Sequence, residues 1–210
     1  MLVRDVMHSE VVTVAPGDTL ARAFALTRER GIRHLPVLDE GALVGIVSDR
    51  DLKRAIPPSA IGVAPEFAST AVAQVMTRAV ITTGPTVAVE EAARVMVSEK
   101  VSALPVTEGG RLVGIVTETD VVALLVRALG ASEPSSRLEV TFAATGSALA
   151  EIVRTVEDAG VPIGSIVTLA ATRGSREAVL RVMTIDPRRA VNALAGKGYA
   201  VRPEPRPTAP

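Results

Sequence analysis

Two short segments of the chain place a hydroxyl and a carboxylate three residues apart. The segments are GIVSDRD, which begins at Gly45, and GIVTETD, which begins at Gly114. Their paired residues are Ser48 with Asp51 and Thr117 with Asp120. An apolar strand that leads directly into a helix makes each hydroxyl the helix N-cap and puts each carboxylate one turn later. The pairs can then satisfy the free N–H groups of the two helices as capping boxes.

The same geometry suits the binding of part of a nucleotide. A helix N-terminus attracts anions such as phosphate, and a carboxylate near it can accept hydrogen bonds from the hydroxyls of a ribose. The glycine before each pair would let a flat base approach the backbone closely. Pure capping and ligand binding both stay open on these residues. The duplication of all three features favours a nucleoside or nucleotide pocket.

The two segments belong to a longer internal repeat. A shift of 69 residues aligns residues 3–56 with residues 72–125 without a gap, including LPV at Leu35 and again at Leu104. Each copy reads as strand, helix, strand, strand, helix, beginning in the first copy with a β-branched strand over Val11–Val14. One copy is too small to cover both faces of its sheet. We therefore expect the copies to pack with pseudo-twofold symmetry, so that equivalent turns face a shared cleft.

The rest of the chain follows a different pattern. Residues 57–71 read as a connector and residues 130–136 as a second linker. Residues 137–202 predict the order β-α-β-β-α-β, which is the ferredoxin-like arrangement, and the Pro-rich residues 203–210 predict a loose tail. The expected fold class is therefore α+β, with two βαββα repeats followed by a smaller βαββαβ domain.

Composition argues against several classes of function. The chain has no cysteine and only two histidines, His8 and His34, and it contains neither a Walker A nor a G-x-G-x-x-G sequence. We therefore predict no catalytic residues, no metal site and no required cofactor. Balanced charge disfavours nucleic acid as a partner. No apolar stretch approaches membrane-spanning length and no signal peptide is recognisable, so we expect no membrane association and a cytoplasmic location.

The repeats resemble a tandem cystathionine-β-synthase (CBS) domain pair, also called a Bateman module. The resemblance is carried by Asp5-Val6-Met7, by Val12-Thr13-Val14-Ala15-Pro16, by His34-Leu35-Pro36-Val37 and by the two G-h-h-[ST]-x-x-D turns, where h is an apolar residue. It implies CBS domain 1 at residues 1–56 and CBS domain 2 at residues 72–129. Residues 137–202 resemble an ACT domain, and this order of domains is similar to the acetoin utilisation protein B family.

The CBS resemblance implies an adenosine-containing ligand such as AMP, ADP, ATP or S-adenosylmethionine. By the family pattern, Asp51 and Asp120 hold ribose hydroxyls, Ser48 and Thr117 reach phosphate, and residues around Thr13 and Thr82 line the base. Arg33 and His34 match positions that often contact phosphate, whereas the second copy has Ser102 and Ala103 there. Because such contacts can come from the partner copy, we expect the pocket of Asp120 to be the nucleotide site.

The ACT-like part departs from its family's ligand-binding pattern. An Asp-x-Pro-Gly turn is replaced by Ala144-Thr145-Gly146-Ser147, which leaves Gly146 and Gly160 as a candidate ligand loop. Edge strands of its sheet predict pairing into a homodimer. We expect a non-catalytic regulator that binds an adenine nucleotide and signals to an unknown protein. The alternatives are an assembly module whose turns are only caps and an amino-acid-responsive regulator.

Overall fold

The computed structural model of the protein describes residues 1–55, 69–130, 133–143, 146–172 and 175–203. Several predicted connections lie outside the described residues. These are residues 57–68 of the connector, residues 131–132 of the second linker and residues 204–210 of the tail. The chain forms two compact units, residues 1–122 and residues 123–210.

The first unit contains the two predicted copies. The first copy has helix α1 (Leu20–Arg30), strands β1 (His34–Asp39) and β2 (Ala42–Ser48) and helix α2 (Asp49–Arg54). The second copy has α3 (Val89–Glu99), β3 (Ala103–Glu108), β4 (Arg111–Thr117) and α4 (Glu118–Ala128), of which α4 continues into the second unit. Each copy begins with a short 3-10 helix, at Val3–Asp5 and at Val72–Gln74.

One antiparallel sheet joins the copies. Its strand order is β1-β2-β4-β3, and the central strands pair at Ala42 and Arg111. Each outer pair is a hairpin, which agrees with the two consecutive strands predicted in each copy. The order is symmetric about the central pair, as the expected pseudo-twofold arrangement requires.

The predicted first strand of each copy is wrong. Val14 forms a single parallel bridge with Val37, and Thr83 forms the equivalent bridge with Val106. The backbone N–H of Val14 donates to the Pro36 carbonyl, and that of Leu38 donates to Val14. To extend the parallel pairing towards Val11, the backbone of residue 36 would have to donate a hydrogen bond. Proline has no N–H, so the pairing stops after one bridge.

The N-terminal segment of each copy packs with the other copy's core. Val3 is fully buried among Ala92, Met96 and Leu104 of the second copy. In the same way, Val72 and Met76 belong to the core of the first copy. Backbone bonds fix the exchange, because the Val3 N–H donates to the Val87 carbonyl and the Val72 N–H donates to the Asp18 carbonyl. Each copy therefore supplies part of the hydrophobic core of the other copy.

The second unit has the predicted order of elements. They are β5 (Ser136–Ala143), α5 (Ala148–Asp158), β6 (Ile163–Thr172), β7 (Ser175–Val182), α6 (Arg188–Gly196) and β8 (Ala200–Pro203). The sheet order is β6-β7-β5-β8, with antiparallel neighbours. Helix α5 buries Ile152 and Val156, which share one face at i and i+4, against the sheet core. Among the described residues, no helix is long and apolar enough to cross a membrane.

Candidate functional site

Both hydroxyl–carboxylate pairs form capping boxes, as predicted. Carboxylate Oδ2 of Asp51 accepts hydrogen bonds from the N–H of Ser48 at 2.9 Å and from its hydroxyl at 2.6 Å. Oδ2 of Asp120 accepts the same two bonds from Thr117, at 2.8 and 2.7 Å. Each aspartate uses the same oxygen for both bonds, so Oδ1 is left for other contacts.

A cavity of about 400 Å³ opens beside Asp120, and we call it the Asp120 cavity. It is lined by residues of both copies: His8, Glu10, Val11, Val12, Gly31, Ile32, Arg33, His34, Ile115, Thr117, Thr119 and Asp120. Four of these side chains are aliphatic, which gives the cavity an apolar wall next to its polar groups.

A second cavity of about 290 Å³ opens beside Asp51, and we call it the Asp51 cavity. Its lining residues are Arg33, His34, Ile46, Ser48, Asp49, Arg50, Asp51, Arg54, Thr77, Ala79, Val80, Ile81, Lys100, Val101, Ser102, Ala103 and Pro105. Every residue of the Asp120 cavity has its repeat counterpart here, for example Thr77 for His8 and Lys100 for Gly31. The two cavities are therefore equivalent sites of one symmetric unit.

The structure brings most of the predicted site residues together. Ser48 and Asp51 line one cavity, and Thr117 and Asp120 line the other. Arg33 and His34 line both cavities. The expectation that these two residues distinguish the Asp120 cavity is therefore wrong, because they lie where the two cavities adjoin.

The residues around Thr13 and Thr82 border the cavities, but the two threonines are not themselves among the lining residues, which corrects their own placement in the site. The lining comes from the residues just before them, Val11 and Val12 in one cavity and Val80 and Ile81 in the other. Pro36 and Pro105 end the parallel pairing at this point. The backbone upstream of each bridge is consequently free of the sheet and borders the cavity.

The glycines of the two segments approach a side chain of the other copy, not a cavity. A Cβ atom at Gly114 would lie 2.6 Å from Sδ of Met7 and 3.1 Å from the carbonyl oxygen of His8. At Gly45 the corresponding distance to Sδ of Met76 is 2.6 Å. The predicted approach of a base to these glycines is therefore wrong, since methionines fill that space.

His8 is a site residue that the sequence did not reveal. Its Nε2 atom lies 2.9 Å from Oδ1 of Asp120, and two backbone hydrogen bonds with Ile115 hold it at the edge of β4. Its side chain is 66% exposed, whereas that of Asp120 is 15% exposed. The only hint in the sequence is that His8 follows Val6-Met7, which recurs as Val75-Met76.

Arg33 and His34 reach across to the second copy. The Arg33 guanidinium donates to the Thr119 hydroxyl at 2.9 Å, and Nε2 of His34 lies 3.0 Å from the Ser102 hydroxyl. Burial lowers the pKa of His34 below its ordinary value of 6.5, and the positive charge of Arg33 lowers it further. His34 is therefore a neutral hydrogen-bonding group at neutral pH.

Lys100 has an unusual backbone conformation. Its φ of 57° lies in the left-handed region, at the residue after α3 where glycine is preferred. Its counterpart Gly31 has a φ of 64°. A side chain in this conformation costs about 1–2 kcal/mol. The chain thus accepts strain at a residue that adds a cation to the Asp51 cavity.

Gly146 and Gly160 have positive φ values of 46° and 72°. Gly160 follows α5, and its N–H donates to the Glu157 carbonyl at 2.8 Å, so helix termination accounts for it. Neither glycine lines the Asp51 cavity or the Asp120 cavity. Ala144 and Thr145 of the predicted loop lie outside the described residues.

Comparison with known proteins identifies the repeats. The sequence model of the CBS domain matches residues 3–58 and again residues 72–127, which together are more than half of the chain. The chain belongs to the CBS domain family. The two copies are its CBS repeats, and the Asp51 and Asp120 cavities are clefts of one CBS pair.

Two curated relatives match this CBS pair. The chain is 31% identical over 118 residues to the CBS domain-containing protein YhcV of Bacillus subtilis, covering 56% of this chain and 81% of YhcV. It is 41% identical over 113 residues to an inosine-5′-monophosphate dehydrogenase of Korarchaeum cryptofilum. That match covers 53% of this chain and only 22% of the dehydrogenase.

Solved structures resemble the same part of the chain. The CBS pair of protein MJ0100, in complex with 5′-methylthioadenosine and S-adenosyl-L-methionine, has a TM-score of 0.54 and 28% identity, covering 63% of this chain and 98% of that one. AcuB of Vibrio cholerae, assigned to acetoin utilization, has a TM-score of 0.55 and 32% identity, covering 63% and 95%. CBSX2 in complex with AMP has a TM-score of 0.50 and 28% identity, covering 60% and 96%.

Proposed function

We propose that the CBS pair binds an adenosine-containing ligand in its clefts and regulates a partner protein without catalysing a reaction. The observation that carries this proposal is the position of Asp51 and Asp120. Each carboxylate lies in a cavity that both repeats build, and each uses only Oδ2 for its capping box. The remaining oxygen, Oδ1, can accept a hydrogen bond from a ribose hydroxyl at Asp51, whereas at Asp120 a ribose must share it with Nε2 of His8, which lies 2.9 Å away.

The shape of the Asp120 cavity fits a nucleoside. Its volume of about 400 Å³ falls within the range of small-molecule sites, about 300–1,000 Å³. Val11, Val12 and Ile32 of the first repeat and Ile115 of the second form an apolar wall against which a purine can pack. Asp120 then holds the sugar, and Thr117 lies next to it. The complexes of MJ0100 and CBSX2 support a ligand of this class.

Regulation follows from the way the cavities are built. A ligand that contacts both repeats favours the arrangement of the repeats that it fits best. Strands β2 and β4 pair at a single position, Ala42 with Arg111. The other backbone bonds between the repeats include those of His8 with Ile115 and of Thr77 with Ile46, which border the cavities, so a ligand there contacts the junction of the repeats directly. We propose that the second unit is an ACT-like domain, which its βαββαβ order supports, and that it passes the ligand state to an unknown partner.

We also propose that the protein acts as a homodimer in the cytoplasm. The sheet of the second unit has two outer strands, β6 and β8, whose free edges are suited to pairing. Apolar side chains are also exposed, including Val97 at 77% and Ile185 at 74%. Sedimentation equilibrium measures the mass directly, and a monomer at micromolar concentration contradicts this part of the proposal.

Calorimetric titration with AMP, ATP, adenosine and S-adenosylmethionine tests the central proposal. Asp51→Asn and Asp120→Asn each remove one carboxylate while keeping an oxygen for the cap, so we expect each to weaken binding at its own cavity. Asp18→Asn is the matched control, because Asp18 also accepts a backbone bond, from Ala15 at 2.8 Å, and does not line either cavity.

Thermal unfolding gives an independent readout. A ligand at 100 times its dissociation constant adds about 2.7 kcal/mol to the stability of the folded state. A shift for adenosine compounds that is lost in the double Asp51→Asn, Asp120→Asn variant supports the regulator. No shift for any of the four compounds favours the assembly module, in which the turns are only caps.

A further inference from the structure

The two cavities differ in charge although they are equivalent in position. The Asp120 cavity is lined by one guanidinium, that of Arg33, and by two carboxylates. The residues that line the Asp51 cavity include four with cationic side chains and two with carboxylates. The three cations that belong to the Asp51 cavity alone are Arg50, Arg54 and Lys100.

These three cations are available to a ligand. Within the described part of the chain, no carboxylate forms an ion pair with Arg50, Arg54 or Lys100. Asp49, one of the two carboxylates, is already paired with Lys53 at 2.8 Å, and Lys53 is not a lining residue. Because Lys53 already neutralises Asp49, the excess of positive charge in the cavity is larger than the difference between its four cations and its two carboxylates.

Lys100 supplies a second, independent observation. The backbone of this residue is held at a φ of 57°, which is strained for a lysine. The same position in the Asp120 cavity is Gly31, where a Cβ atom would meet no neighbour within 4 Å. Space therefore permits a side chain at both positions, and only the Asp51 cavity has the lysine.

The polar groups of the Asp120 cavity are already partnered. Oδ1 of Asp120 lies 2.9 Å from Nε2 of His8, and the Arg33 guanidinium donates to Thr119 at 2.9 Å. Glu10 adds a second carboxylate, where the Asp51 cavity has Ala79. This cavity disfavours a phosphate chain by like-charge repulsion and accepts an uncharged or cationic group.

We propose that the Asp51 cavity takes the phosphate chain of a nucleoside di- or triphosphate and that the Asp120 cavity takes an adenosyl ligand without phosphate. This assignment rests on the proposed function and names the ligand class of each cleft. It reverses the preference that the sequence suggested, because Arg33 and His34 serve both cavities and the additional cations lie beside Asp51. The CBS pair then senses two chemically different adenosyl compounds at once.

A reciprocal exchange at one position tests the assignment. Lys100→Gly gives the Asp51 cavity the residue of its counterpart, and Gly31→Lys does the opposite. Titration calorimetry measures ATP and adenosine with each variant. We expect Lys100→Gly to lower the affinity for ATP about tenfold relative to adenosine, and Gly31→Lys to give the Asp120 cavity measurable affinity for ATP.

The direction of the stability change distinguishes a loss of ATP affinity caused by misfolding from one caused by removal of the lysine. Lys100→Gly removes backbone strain, so its melting temperature should not fall while its ATP affinity does. Lys197→Gly is the matched control, since Lys197 also follows a helix, lies in the second unit and lines neither cavity. We expect this control to keep the wild-type ratio of ATP to adenosine affinity.

Inorganic tripolyphosphate distinguishes failure of this inference from failure of the proposed function. Competition between tripolyphosphate and ATP that weakens in Arg50→Gln, Arg54→Gln and Lys100→Gly supports the assignment. Binding of ATP and adenosine that none of these three variants alters overturns the assignment and leaves the proposed function intact. If no adenosine compound binds but tripolyphosphate does, the proposed function fails and the Asp51 cavity remains a polyphosphate site. Absence of all binding overturns both.

Discussion

Nε2 of His8 lies 2.9 Å from Oδ1 of Asp120, so a side chain of the first repeat occupies the one carboxylate oxygen that the capping box of the second repeat leaves free. Within the described ranges no imidazole makes the equivalent contact with Asp51, because the counterpart of His8 is Thr77. A ribose in the Asp120 cavity must share Oδ1 with the imidazole or displace it. The contact therefore opposes ligand binding in one cleft only.

His8→Ala should raise the affinity for adenosine in the Asp120 cavity by up to about fivefold, since an exposed pair of this kind contributes about 0.2–1 kcal/mol. Calorimetry in an Asp51→Asn background isolates the cleft. His8→Gln keeps a donor at this position and should stay close to wild type. A loss of affinity in His8→Ala would mean that the imidazole contacts the ligand instead of competing with it.

The close approach of Met7 to Gly114 makes a prediction about stability. Gly114→Ala puts a Cβ atom 2.6 Å from Sδ of Met7 and 3.1 Å from the His8 carbonyl oxygen, and such overpacking costs about 1–3 kcal/mol. Chemical denaturation measures the loss. Gly17→Ala is the control, because a Cβ atom there would meet nothing within 4 Å. Equal stability of the two variants would contradict the packing described for Met7.

The repeat and its hairpins were predictable because they depend on local patterns. The short apolar runs, the turns that contain glycine and the Ser48–Asp51 spacing each determine structure over a few residues. Pro36 ends the parallel pairing because it has no N–H to donate. This could be predicted only if the residue that would accept that hydrogen bond were known. The β-branched run at Val11–Val14 therefore suggested a strand that the proline prevents.

The sharing of residues between the cavities could not be predicted from the sequence. Arg33 and His34 lie at one position in the chain but line two cavities, because the cavities adjoin between the repeats. His8 reaches Asp120 across 112 residues of sequence, through the exchange of N-terminal segments. Contacts of this kind depend on how the two copies pack, which no pattern within one copy determines.

The lowered pKa of His34 makes stability depend on pH. His34 is neutral in the folded protein because burial, assisted by Arg33, lowers its pKa below the ordinary 6.5, and Asp49, Asp51 and Glu118 oppose this effect without cancelling it. The unfolded chain takes up the proton first as pH falls. The contribution of His34 is therefore complete above about pH 6.5 and decreases as pH falls towards the folded pKa.

Chemical denaturation between pH 7.5 and pH 5 tests this dependence. His34→Gln keeps a side chain that can bond to Ser102 but does not titrate, so its stability should decrease less over the same range. His8→Gln is a suitable comparison, because it removes the only other histidine of the chain. Parallel curves for wild type and His34→Gln would contradict the assignment of a neutral, buried imidazole.

Capping and binding can be separated at Ser48. Its side chain accepts the Asp51 N–H, and it also lines the Asp51 cavity. Thr19 caps α1 in the same way, by accepting the Arg22 N–H at 3.2 Å, and lines neither cavity. Ser48→Ala and Thr19→Ala should each lower the free energy of unfolding by about 1 kcal/mol. Only Ser48→Ala should also weaken ATP binding in calorimetry, because only that hydroxyl faces a ligand. Unchanged ATP affinity in Ser48→Ala would mean that this hydroxyl caps the helix and does not contact the ligand.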